Sequence, residues 1–223
     1  PRMAFGATSR DGYDEAWLQG VLYDNPSLLP AGEVEPAFLD SQPVCRELGT
    51  PAGPLDLLYC NAEGLLTLVE CKLWRNPEAR REVVGQILDY ARALSRWSYE
   101  ELQQAIRRAT GSTAANPLYE IARRGAEDLD EAGFIDAVVN NLRASRFLLL
   151  IVGDGIREGV EDIADYLQRH AGLHFTFALV EMAVFQLPDQ GYLVEPRLLT
   201  RTREIERAVV RLEGANLVAE APR

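Results

Sequence analysis

Asp56, Glu70 and Lys72 stand in an order and at a spacing from which a metal-assisted hydrolytic site can be built. Glu70 and Lys72 flank Cys71 in the apolar run 65–73, so an extended strand places both on one face and Cys71 and Leu73 on the other. Asp56 lies in the preceding run 55–60, across the turn-forming Asn61-Ala62-Glu63-Gly64, so a hairpin brings the two acids to one end. Two carboxylates and a backbone carbonyl are hard oxygen ligands suited to Mg2+ (or Mn2+). An ammonium beside them can orient a metal-bound water and help to deprotonate it for attack on phosphorus. Without a cation the two acids repel one another, a cost that marks a functional site. Lys72 is also the only lysine in a chain whose other basic residues are all arginine. An ammonium can give up a proton where a guanidinium cannot, which explains why this position alone keeps lysine.

Glu15 adds a third acid, placed to approach the metal site as a further candidate ligand. The helix expected from Asp11-Gly12-Tyr13-Asp14 to about Asp24 has Trp17, Leu18, Val21 and Leu22 as its apolar stripe, and Glu15 falls at the edge of that stripe. A bland role as a first-turn dipole residue is open to it. Asp56 could serve as a strand-end turn residue, and Gln86 and Tyr90, four apart on one helix face, could be an amphipathic edge.

These residues need a scaffold. Strands are expected over 44–48, 55–60 and 65–73, then a strong helix over 77–96 with Val83, Val84, Ile87, Leu88, Ala91 and Leu94 inward. Residues 97–133 read as an inserted helical segment, broken by Gly111-Ser112-Thr113 and Asn116-Pro117. A helix over 134–143 and a buried strand over 147–152 follow, then a helix capped by Asp154 to about His170 and one or two strands over 175–185. Residues 197–213 read as a charged amphipathic helix, so that 1–196 form the main domain and 197–223 a helical extension. His170 and His174, beside an apolar strand, suit structural roles better than metal ligation, and Gly153-Asp154-Gly155 suits a helix cap better than a phosphate loop. The fold class is α/β, a central mixed sheet flanked by helices.

Gly53-Pro54-Leu55-Asp56, Val69-Glu70-Cys71-Lys72 and Gln86-Ile87-Leu88-Asp89-Tyr90, in this order of elements, resemble the PD-(D/E)XK nuclease superfamily. The last stretch is similar to the QxxxY motif of its RecB-like and NucS-like branches. Asp14-Glu15-Ala16-Trp17-Leu18, with Asn25-Pro26-Ser27-Leu28-Leu29 after it, is similar to NucS-type members. The resemblance implies a restriction-endonuclease-like αβββαβ core with a helical insertion and Mg2+-dependent cleavage of DNA. It implies metal ligation by Asp56 and Glu70, water activation by Lys72, and support of metal or DNA by Glu15, Gln86 and Tyr90. Three separated cysteines exclude the iron–sulfur members, which require four at set spacing.

Composition bounds the partners. No apolar run approaches the roughly 18 residues that span a bilayer. The odd cysteine count without a CxxC pair argues against a disulfide framework, and a reducing cytoplasm is the expected compartment. The net charge of −11 repels phosphate. It is uneven: residues 1–50 carry three basic and eight acidic side chains, whereas 51–100 and 101–150 each carry six and seven. Any DNA contact is therefore expected in the middle, at Arg75, Arg80 and Arg81. A DNA-binding domain on a longer chain or partner protein, or a homodimer, would supply what the charge withholds. The rival to cleavage is a nuclease-fold module that no longer cuts, serving DNA binding or protein interaction.

Overall fold

The computed structural model describes residues 4–5, 12–72, 77–153, 175–187 and 191–201; of residues 4–5, 77–81 and 200–201 only the backbone is described. Two short strands, β1 (Ala4–Phe5) and β2 (Gly12–Tyr13), pair in parallel and lead into helix α1 (Glu15–Asp24). The sequence puts this helix's opening three residues earlier. Asp14 instead takes extended backbone and caps the helix, its Oδ1 accepting the Trp17 amide at 2.8 Å, which leaves Gly12 and Tyr13 outside. Leu18 and Leu22, one turn apart, are fully buried, and Pro26 stops the chain from continuing as α-helix. A short helix α2 (Ala31–Val34) completes this layer.

The strands β3 (Gln42–Thr50), β4 (Gly53–Cys60), β5 (Leu66–Cys71), β6 (Phe147–Gly153), β7 (Phe175–Gln186) and β8 (Tyr192–Arg201) form one mixed sheet in sequential order. β3 to β5 run antiparallel, β5 to β7 parallel, and β8 antiparallel to β7. Every residue of β5 and β6 is buried, as strands covered on both faces require. Tyr13, Leu18, Leu22 and Phe38 pack against one face. Helices α3 (Pro77–Leu94), α4 (Tyr99–Thr110), α5 (Pro117–Ala122) and α6 (Glu131–Arg143) cover the other.

The expected inserted segment is helical and forms part of the main core. Tyr99, Leu102, Ile106, Leu118 and Ile121 bury against the same apolar cluster as α3. Its ends follow local rules: Ser98 and Glu101 make a capping box, and Gly111 closes α4 in the left-handed region. The chain between 192 and 201 is strand, where the sequence reads helix from residue 197. Pairing with β7 overrides the local periodicity there. Residues 202–223 and the expected helix over 154–170, with His170 and His174, lie outside the described residues.

Candidate active site

The site lies at the sheet end where β4 begins and β5 and β6 finish. Leu58 pairs with Leu68 and Leu57 with Val69, so one step further Asp56 stands opposite Glu70. Opposed residues share a face, and Leu58 and Leu68 put this pair on the face covered by α3 to α6. Asp56 is 9% exposed and Glu70 1%. The Asp56 Oδ2 accepts the Cys71 amide at 2.7 Å, which holds the carboxylate against β5. The Glu70 Oε2 is buried with no hydrogen-bond partner.

Burial pushes the Glu70 carboxyl up to about 8, helped by the nearby Asp56 charge. Burial likewise pushes Asp56 up to about 6, against the Cys71 hydrogen bond. Two desolvated carboxyls, one with an orphaned oxygen, fit a small divalent cation whose charge would offset both penalties. Among the described residues, no three carboxylate, imidazole or thiol groups close around one point. As it stands this is a two-carboxylate site.

Lys72 continues the face of Glu70. Its Nζ lies 3.6 Å from Glu15 Oε1 and 3.9 Å from Glu70 Oε1. Burial lowers this ammonium's pKa, but Glu15, Glu70 and Asp56 outweigh it and hold it above the ordinary lysine value. Glu15, on the helix behind the sheet, thus reaches the site through Lys72. The Lys72 amide donates to the Val152 carbonyl at 2.9 Å. A Cβ on Gly153 would collide with the Lys72 carbonyl oxygen, so glycine is what lets β6 run this close to the end of β5.

Gln86 and Tyr90 meet near the carboxylates, and burial, with the Glu70 charge next after it, raises the Tyr90 hydroxyl's pKa. The Gln86 Nε2 donates to the Tyr90 hydroxyl at 2.6 Å, and that hydroxyl donates to the Pro54 carbonyl at 2.7 Å. Tyr90 is fully buried. The pair braces the start of β4, two residues before Asp56. Of the residues expected to contact DNA, Arg75 lies outside the described residues, as do the side chains of Arg80 and Arg81.

Sequence reasoning missed Glu47. Arg46 pairs with Leu57 and Leu48 with Leu55, which sets Glu47 across from Asp56. Its φ of 50° is in the left-handed region, where a long side chain is strained. Its charge raises the Asp56 pKa more strongly than that of Glu15 does. No spacing motif marks it, because its position depends on strand register.

Over 82 residues the chain is 39% identical to Endonuclease NucS 1 of Halobacterium salinarum. The match covers 37% of this chain and 30% of that relative, so the chain spans under a third of the relative's length. No family model and no solved structure matches the chain.

Proposed function

We propose that this domain is a metal-dependent deoxyribonuclease that hydrolyses phosphodiester bonds with Asp56, Glu70 and Lys72. The observation that carries the reading is the Glu70 Oε2, buried and unpartnered beside a second desolvated carboxylate and an ammonium. The similarity to an endonuclease supports the reaction class. In this reading α1, β3 to β5, α3 and β6 are the αβββαβ core of a restriction-endonuclease-like fold, with Gln86 and Tyr90 as its QxxxY pair.

Asp56 and Glu70 would hold Mg2+ or Mn2+, which when bound would supply Lewis acidity toward a phosphoryl oxygen and a more acidic water. Asp56 is held for that task by the Cys71 amide, and Glu70 presents its free oxygen from a dry wall. Glu15, Glu70 and Asp56 favour the charged form of Lys72, so its role in this reading is that of a donor, aiming a water and countering charge on the phosphate. Glu15 holds that ammonium through the 3.6 Å contact. Arg75, Arg80 and Arg81 supply phosphate contacts.

Incubation with linear and nicked DNA tests the reading. Cleavage with Mg2+ or Mn2+, abolished by EDTA and by Asp56→Asn or Glu70→Gln, is expected. DNA bound but left intact in both metals would overturn cleavage and favour the non-cutting binding module.

A further inference from the structure

Glu47 is an acid of the sheet end that the proposed chemistry leaves unused, as is the buried Glu181 opposite Gly153 on the far side of β6. Glu47 stands opposite Asp56 in β3 as Asp56 stands opposite Glu70 in β5, so three adjacent strands carry three carboxylates in one row. Directly opposed residues have Cβ atoms about 4.5–5.5 Å apart, a separation that carboxylates sharing one cation can bridge. The Glu47 side chain is exposed, whereas Asp56 and Glu70 are buried. It borders an open cavity of about 620 Å3 that Trp97, Gln104 and Arg108 also line, so its side chain is not packed in place.

Two further observations bear on it. The Glu70 Oε2, buried and without a partner, points independently to a ligand within this row. The backbone of Glu47 lies at φ 50°, a conformation that asparagine or glycine adopts more readily than glutamate.

We propose that Glu47 is a third carboxylate ligand of the divalent cation held by Asp56 and Glu70, approaching from the cavity side of the row. The inference rests on the metal site put forward above. The Glu47 side chain is the solvent-facing one of the three and must turn in to join them, since no three such groups close around one point among the described residues.

Binding of Mn2+ alone to the full chain, without DNA, tests it by calorimetry, with the melting temperature of the metal-free protein as a second readout. Glu47→Asn and Glu47→Gly both suit the left-handed backbone, and either one suffices if the other fails to fold. Both are expected to raise the Kd for Mn2+ by about tenfold or more, as loss of groups supporting a metal commonly does. The metal-free melting temperature should hold or rise, which a merely structural role would not give. Glu70→Gln should abolish binding. An unchanged Kd in the Glu47 variants, with binding lost in Glu70→Gln, would overturn the role of Glu47 and leave the metal site standing. Absence of Mn2+ binding to the unsubstituted protein would overturn both.

Discussion

Glu70 binds its proton more tightly in the folded chain than in the unfolded one, because burial and Asp56 both oppose its charge. Between its ordinary value of 4.5 and about 8 the folded state therefore holds the extra proton. Glu70's contribution to the stability of the metal-free protein is thus greatest below that window and falls as pH rises through it. Glu70→Gln removes the ionisation, so the melting-temperature difference between that variant and the unsubstituted protein should widen from pH 5 to pH 8. A constant difference would show that Glu70 is not desolvated. Lys72→Arg keeps charge but exchanges a compact ammonium for a wide planar fork. Cleavage should fall about 100-fold, roughly 2.7 kcal/mol of lost transition-state stabilisation, with little change in melting temperature. Near-unsubstituted rates would remove Lys72 from the chemistry. The convergence of Asp56, Glu70 and Lys72 was legible because strand alternation and a short hairpin turn are local rules. Glu47 was not, since its place opposite Asp56 depends on a register between strands and on a backbone angle that no residue type announces.

Among elements, α3 governs the site by what it braces. Tyr90→Phe keeps the buried ring but strips the Pro54 carbonyl and the Gln86 amide of their partner. Pro54 is exposed and Gln86 half-buried, so water takes up part of the lost bonding and the cost is about 1 kcal/mol. The melting temperature should fall and amide exchange across residues 53–56 should rise, with cleavage reduced because Asp56 sits on the loosened stretch. Unchanged exchange there would show that the brace does not position Asp56. The resemblance assigns Gln86 and Tyr90 a supporting role, and the hydrogen bonds show what they hold. The helix of 77–96, the strands of 55–60 and 147–152 and the helix of 134–143 were all legible, because long apolar periodicity speaks for itself. Residues 97–133 were legible as helix but not as core: Tyr99, Leu102 and Ile106 recur at helical spacing, yet the breaks at Gly111 and Asn116-Pro117 make the segment look inserted until α4 and α5 are docked on the sheet. The edge strand β8 escaped for a different reason: half-exposed and charged at Glu195, Arg197 and Arg201, it looks amphipathic at either period.

At the scale of the whole molecule, charge decides how DNA could be met. Among the described residues no helix is long and apolar enough to cross a membrane, and Cys45, Cys60 and Cys71 are free and buried. The net charge of −11 opposes phosphate at a distance, so association depends on short-range contacts near the site. Each phosphate contact to B-DNA adds about −0.9 to the slope of log K against log salt, so a footprint of Arg75, Arg80 and Arg81 gives a shallow slope of roughly −3. This chain alone should bind duplex DNA weakly at physiological salt. Reversing Arg80 and Arg81 to glutamate removes two of the three contacts and should cut the magnitude of that slope by about 2 while leaving the melting temperature unchanged. Anisotropy titrations of a labelled duplex at several salt concentrations, run in Ca2+ to withhold cleavage, measure both quantities. A steep slope, or one indifferent to the reversals, would place the footprint elsewhere on the surface. Tight binding at physiological salt would also remove the reason to look for a DNA-binding partner, because the acidic field would then have been overcome by this chain's own arginines.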